Sequence, residues 1–250
     1  MNIDKKFKVI DQLKTTLDKH RPFTPEMAQN IQKYLLVEWT YHSNAIEGNT
    51  LTKTETKVVL EDGITIGGKT VREHLEAINH KEAILFLEEL VKDHQSITER
   101  VIKELHGLIL RGIDSKNAGV YRHQNVLISG ATHTPPDPVV VPEQMERLIL
   151  WYHENETVLH PVMRASILHS EFVKIHPFVD GNGRTARLLM NVDLMKSGYP
   201  PIIIRNDQRL KYYEALDTSH TSGVYDDFIQ LVSGLLVDTL QFYVHFLGAK

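Results

Sequence analysis

The sequence contains no cysteine. Disulfides, thiolate nucleophiles and cysteine-held zinc or iron–sulfur centres are therefore excluded, and the composition fits a reducing compartment. No apolar run approaches the roughly 20 residues that a membrane-spanning helix requires. The opening segment, MNIDKKFKVIDQLKTTL, is charged and amphipathic, without the apolar core of a signal peptide. A cytoplasmic protein with no membrane partner is the expectation. An excess of positive charge is missing too. The 28 Lys and Arg residues against 32 Asp and Glu give a net charge of −4, which argues against a nucleic-acid partner but leaves room for a local basic pocket. Repeats, low-complexity tracts and linkers are absent from the 250 residues, so a single compact unit is expected.

What is present is helical periodicity. PEMAQNIQKYLLVEWTYHSNAIE opens with Thr24-Pro25, a cap followed by a first-turn proline, and repeats apolar residues at three- and four-residue spacing. The same spacing recurs in KTVREHLEAINHKEAILFLEELVKD, ITERVIKELHGLILRG, VPEQMERLILWYHEN, HPVMRASILHSEFVKI, RTARLLMNVDLMKSG, DQRLKYYEALDTSH and VYDDFIQLVSGLLVDTLQFYVHFLG. These patterns predict an all-α fold. One stretch departs from them: GVYRHQNVLISGATHTPPDPVVVPEQ alternates in HQNVLIS and then meets Gly130, Pro135, Pro136 and Pro138. It predicts a short β-hairpin or flap on a helical body.

Two local features raise questions of chemistry. GITIGGKT, Gly63 to Thr70, satisfies the Walker A pattern G-x-x-x-x-G-K-[ST] letter for letter. A working P-loop follows a buried strand, and the preceding TKTETKVVLED is too charged to be one, so a glycine-rich turn between helices is expected instead. In HSNAIEGN, Glu47 stands in the last turn of a helix, just before Gly48-Asn49. Helix C-termini carry partial negative charge and favour cations, so a carboxylate there needs a partner from elsewhere.

HPFVDGNGRTAR, His176 to Arg187, is the most informative stretch. Pro177 closes one helix, and Gly181-Asn182-Gly183 tolerate the positive φ angles that turn several N–H groups toward one point. A helix then begins, so its free N–H groups and dipole face the same place. Arg184 and Arg187, three apart, add two guanidinium forks. Asp180 at the mouth of an anion site implies a bridging Mg²⁺, and His176 is placed to accept a proton near neutrality. Base, metal carboxylate, phosphate nest and arginine clamp together describe phosphoryl or nucleotidyl transfer to a hydroxyl.

HPFVDGNGRTAR also matches HPFx[DE]GNGRxxR, the full motif of the Fic family, at every position. GVYRHQNVLISGATHTPPDPVVVPEQM resembles the family's flap, and SGYPPIIIRNDQRLKYYEALD the segment after its motif helix. The chain is thus identified as resembling Fic (Fic/Doc, Fido-domain) adenylyltransferases with an N-terminal inhibitory motif. The likeness is strongest to the catalytic part of animal members that AMPylate an Hsp70 chaperone. No membrane anchor or tetratricopeptide repeat of the kind found in those members is expected here. The resemblance implies a Fic fold: a helical bundle with a β-hairpin flap over the active site. Residues 1–95 would be a helical region carrying the inhibitory motif (43–48), 96–235 the catalytic core and 236–250 the end of a C-terminal helix.

The implied activity is transfer of AMP from ATP to a Ser, Thr or Tyr hydroxyl of a target protein. His176 would be the general base, and Asp180 would hold Mg²⁺, with Mn²⁺ as a substitute, against the α- and β-phosphates. Gly181, Asn182, Gly183 and Thr185 would cradle phosphates, Arg184 would face the leaving pyrophosphate and Arg187 would bind the γ-phosphate. Tyr212 and Tyr213 match a nucleoside-facing pair in the family, although their helical spacing equally suits core aromatics. His220 falls where some relatives carry an adenine-facing asparagine. Flap residues Asn125, Val126, Leu127 and Ile128 would pair with an extended target segment. SNAIEG, Ser43 to Gly48, matches the inhibitory motif [ST]xxxE[GN]. Glu47 would then occupy the Arg187 fork that the γ-phosphate needs, and in some relatives the same glutamate orients water to remove AMP. A homodimer is expected from the resemblance. Competing readings are transfer of UMP, phosphocholine or phosphate, a regulatory nucleotide-binding protein, and a P-loop NTPase using Lys69.

Overall fold

Four threonines start four of the helices. The side chains of Thr24, Thr52, Thr70 and Thr98 each accept a hydrogen bond from the backbone N–H three residues on. At Thr52 and Thr70 a glutamate, Glu55 or Glu73, closes the reciprocal capping box. Such caps satisfy N–H groups that a helix leaves without partners, at about 1 kcal/mol each. The structure, a computed structural model, describes residues 3–248. The outermost positions of the expected 1–95 and 236–250 segments, residues 1, 2, 249 and 250, lie outside the described residues.

Ten α-helices follow one another among the described residues: α1 (Ile3–Asp18), α2 (Pro25–Ile46), α3 (Lys53–Asp62), α4 (Val71–Lys92), α5 (Glu99–Ile109), α6 (Val141–Glu154), α7 (Pro161–Ile175), α8 (Asn182–Lys196), α9 (Arg209–Ser222) and α10 (Asp226–Phe246). The all-α expectation agrees with this order. One apolar cluster joins Trp39 of α2 and Leu87 of α4 to Ile102 and Leu105 of α5, Phe172 of α7 and Leu189 of α8. A second joins α1, α2, α9 and α10 to the other side of α8 through Ile10, Ile46, Leu194, Tyr212 and Phe228. Helix α8 therefore runs between two cores, and twelve of its fifteen residues are buried, among them Arg184 and Arg187. Two guanidinium groups held in such a position demand compensation.

The flap differs from expectation. No strand pairing occurs among the described residues, and residues 121–128 run as an irregular loop over the end of α7. The limb that would return as the second strand contains Pro135 and Pro136, which have no N–H to donate. Another donor of that limb, the Thr132 N–H, is taken by Asp217 Oδ1 of α9 at 2.7 Å. The alternation survives without a ladder: Val126 and Ile128 are half-buried while Leu127 is 85% exposed.

The Walker-like stretch is the turn expected of it. Helix α3, not a strand, precedes it, and Lys69 Nζ donates to the Thr50 carbonyl and hydroxyl.

Candidate active site

Helix α7 ends where its C-cap residue, His176, turns left-handed at φ 51°. Phe178 and the side chain of Asn182 then lock the next turn. The Asn182 amide accepts from the Phe178 N–H and donates to its carbonyl, both at 2.9 Å. The Phe178 ring stacks flat on His106 of α5, with centroids 3.5 Å apart. Because His106 Nδ1 accepts from the Gly119 N–H, its Nε2–H is the donor to the Asp180 carbonyl at 2.8 Å. Gly181, at φ 77°, opens α8 without a side-chain cap. The first N–H groups of α8 consequently face outward at the positive end of its dipole.

Four residues converge on that end. His176 Nδ1–H donates to the Val173 carbonyl at 3.3 Å, a tautomer that leaves the Nε2 lone pair free. Burial, with the nearby Arg122 guanidinium acting in the same direction, pushes the His176 imidazole down to about 4, so it is neutral at physiological pH. Arg184 and Arg187 are each 2% exposed. Among the described residues, Arg184 Nε and Nη1, Arg187 Nη1 and the Thr185 hydroxyl are buried without a hydrogen-bond partner. Unsatisfied guanidinium N–H groups at an uncapped helix start suit the oxygens of a polyphosphate.

Acidic residues already occupy part of this site. Glu47, the C-cap of α2, places Oε1 2.7 Å from Arg187 Nη2, while the Ser43 hydroxyl and carbonyl accept from Arg187 Nε and Nη2 at 3.0 and 2.8 Å. The carboxylate lies against the bare Cα of Gly183, where a Cβ would stand 2.3 Å from Oε1. The carboxylate of a helix C-terminus thus finds its cation on the opposite helix, over the anion end of α8. Gly48, at φ 97°, turns the chain away immediately afterwards.

Asp180 receives the Gly181 N–H at 2.6 Å and Arg184 Nη2 at 3.1 Å, and its other oxygen meets Arg72 Nη2 of α4. Burial works to raise its pKa, but Arg184, the Gly181 N–H and Arg72 outweigh it and hold the carboxyl below its ordinary value. Glu76, one turn beyond Arg72, stands 3.4 Å from Arg184 Nη1. Among the described residues no cluster of three metal-ligating side chains exists. Asp180 is a single carboxylate beside the first N–H groups of α8, so a divalent cation held there would take its remaining ligands from substrate oxygens and water.

The remaining expected residues flank Arg187 and Glu47 or seat the flap. Tyr212 is buried in the core, its hydroxyl 3.0 Å from His169 Nε2 and its ring beneath the Arg187 guanidinium. Tyr213 is 38% exposed and donates to the Ile46 carbonyl at 3.3 Å, beside the start of Glu47. His220 Nε2 bonds the Ser170 carbonyl at 3.0 Å, and its ring meets His133 of the flap edge-on. His220 therefore seats the flap on α9. Asn125 to Ile128 alternate between exposed and half-buried along the flap, and among the described residues the Ile128 carbonyl, accepting from Ala131, is the one group of these four in a backbone hydrogen bond. The sequence reading missed Arg72, Glu76, His106 and Arg122. Arg72 and Glu76 look like an ordinary i, i+4 surface pair, and His106 stands on the apolar face of an amphipathic helix.

A model of the Fic/DOC family matches residues 96–194. Fic-1 from C. elegans superposes with a TM-score of 0.85 at 34% identity, over 99% of this chain and 72% of that one. The chain belongs to the Fic/DOC family. A Fic-domain signalling protein from Bacteroides thetaiotaomicron superposes with a TM-score of 0.88 at 29% identity, covering 97% of this chain and 98% of that one. Protein adenylyltransferase Fic from Drosophila virilis is 40% identical over 205 residues, 82% of this chain and 42% of the relative. The Drosophila melanogaster protein of the same name is 39% identical over the same length. This Fic chain therefore spans less than half the length of those curated relatives.

Proposed function

We propose that the chain transfers AMP from ATP to a hydroxyl of a target protein and that Glu47 holds this activity in check. The observation that carries the reading is the convergence at the start of α8: two buried, incompletely satisfied guanidinium groups beside a neutral histidine whose Nε2 is free. The names of the Drosophila relatives, protein adenylyltransferases, point the same way.

In this reading the N–H groups of Asn182 and Gly183, the Gly181 N–H once it leaves the Asp180 carboxylate, and the Thr185 hydroxyl bind phosphate oxygens, and Arg184 and Arg187 neutralise the outer phosphates. His176 Nε2 takes the proton of the attacking hydroxyl. Asp180 would hold a divalent cation, which supplies charge neutralisation at the phosphates; Arg72 must first release that carboxylate. Exposed backbone of Asn125 to Ile128 receives an extended target segment. Residues before about 95 act as the regulatory layer, because they contribute Glu47 and Ser43 to Arg187 and Arg72 and Glu76 to the nest. While Glu47 fills the Arg187 fork, the γ-phosphate has no place to bind productively.

The test compares wild type, Glu47→Gly, His176→Ala and the double variant, each incubated with α-labelled ATP and Mg²⁺. Strong protein labelling in Glu47→Gly alone, abolished by adding His176→Ala, is the expected result. Equal labelling with and without Glu47 would remove the brake from the account and leave the transfer. Absence of α-label in every variant would overturn AMP transfer itself, and labelled UTP would then test another nucleotide.

A further inference from the structure

Arg122 stands at the root of the flap and is 2% exposed. Among the described residues no carboxylate pairs with its guanidinium, which instead donates to backbone carbonyls. Nε reaches the His176 carbonyl at 2.8 Å, Nη1 that of Gln124 at 3.0 Å and Nη2 that of Pro136 at 2.5 Å. Nη2 also lies 3.5 Å from the Ile175 carbonyl, and the Arg122 N–H donates to the Pro177 carbonyl at 2.9 Å. These acceptors belong to two places. Ile175, His176 and Pro177 form the end of α7 that carries the base, while Gln124 and Pro136 are the two ends of the flap.

Burying a guanidinium with no carboxylate bonded to it is costly, even with the Asp137 charge acting in its favour, and the planar fork holds several carbonyls in one fixed arrangement. The bond to the His176 carbonyl matters most, since that residue keeps a left-handed backbone that a side chain disfavours. With Arg122 removed, nothing else on the flap side would hold that carbonyl.

We propose that Arg122 is a positioning residue that locks the flap and His176 into one unit, so that a target segment on Asn125–Ile128 presents its hydroxyl to His176 Nε2. The proposal rests on the AMP-transfer reading above. It assigns Arg122 a task different from that of Arg184 and Arg187, which face the phosphates. Removing Arg122 should leave the nucleotide site intact and misplace the base relative to the acceptor.

Arg122→Gln and Arg122→Lys, each in the Glu47→Gly background, test it. Glutamine keeps one donor without charge, and lysine keeps charge without the fork. Three quantities are read: amide hydrogen exchange, the affinity for ATP with Mg²⁺, and the rate of self-labelling with α-labelled ATP. Exchange should quicken in residues 123–135 and 176–178 while α8 keeps its protection. Labelling should slow by about 10- to 100-fold, the scale of a misplaced reacting group, with ATP affinity nearly unchanged in both variants. Faster exchange throughout the chain, or a parallel loss of ATP affinity, would reduce Arg122 to a general stabiliser and overturn the proposal. Full activity in Arg122→Lys would assign the effect to charge and overturn the fork. Should Arg122→Gln be too unstable to purify, Arg122→Lys carries the same three measurements. If the Glu47→Gly parent itself takes no label, AMP transfer falls while the exchange comparison still decides whether Arg122 couples flap and base.

Discussion

At Gly183 a single hydrogen atom makes room for the Glu47 carboxylate at the start of α8, where the proposed function puts phosphate. The backbone there is helical, so alanine is conformationally acceptable, yet its Cβ would meet Glu47 Oε1 at 2.3 Å and Arg187 Nη1 at 3.1 Å. Both contacts involve the ends of flexible side chains, so the carboxylate must shift from its place against Gly183 for alanine to fit. Gly183→Ala is therefore expected to destabilise the wild type, because it strains the partly exposed Glu47–Arg187 pair. In the Glu47→Gly background the 2.3 Å contact is gone and only Arg187 Nη1 at 3.1 Å must give by a few tenths of an ångström, so alanine's helix preference of about 0.8–1.0 kcal/mol over glycine brings the same change close to neutral. Denaturant unfolding of the four proteins should show a coupling of about 1 kcal/mol or more between the two positions. Additive effects would mean that Glu47 does not rest on Gly183 in solution. Gly183→Ala should also weaken ATP binding in the Glu47→Gly background, since the Cβ narrows the phosphate cradle, and calorimetric titration would read that loss directly.

The connection between α7 and α8 is the element on which the site depends, and its rigidity comes from side chains bonding backbone. Asn182→Ala removes both bonds to Phe178 and leaves a buried N–H and a buried carbonyl unpaired. A loss of about 1–3 kcal/mol is expected, and under the proposed function α-label incorporation should fall further than stability alone explains. Thermal melts alongside labelling rates at a temperature where the variant stays folded would check it. Much of this connection was legible in the sequence: the proline stop, the glycine turn, the uncapped helix start and the two inward arginines all follow from neighbouring residues. Glu47 was legible as an anomaly, a carboxylate at the wrong helix end. What could not be read were supports from distant chain, such as Arg122, 54 residues before His176, and His106, 74 before Asp180. The flap shows the opposite error. Its alternation is present, but strand pairing also needs a returning limb with free donors, and prolines together with the Thr132–Asp217 bond remove them.

Across the whole molecule, helices meeting around α8 bury histidines in their neutral form. Burial holds His106, His176 and His220 down to about 4, His169 to about 3, and His80 well below its ordinary value of 6.5. The unfolded chain binds protons at these positions at a higher pH than the native chain does. The stability these histidines contribute is therefore fully present above about 6.5 and is lost as pH falls toward about 4, each adding to the slope. The thermal midpoint at pH 5 should lie clearly below that at pH 7.5 at equal ionic strength, with the steepest change inside this window. A flat midpoint across it would show that the imidazoles protonate in place without cost. The same linkage separates chemistry from stability. Because His176 stays neutral far below 6.5, initial labelling rates of Glu47→Gly should show no acid limb near 6.5. They should decline only at pH values where unfolding also begins. A limb at 6.5 in a protein that remains folded would mean that the base is exposed to solvent during turnover, with the flap open.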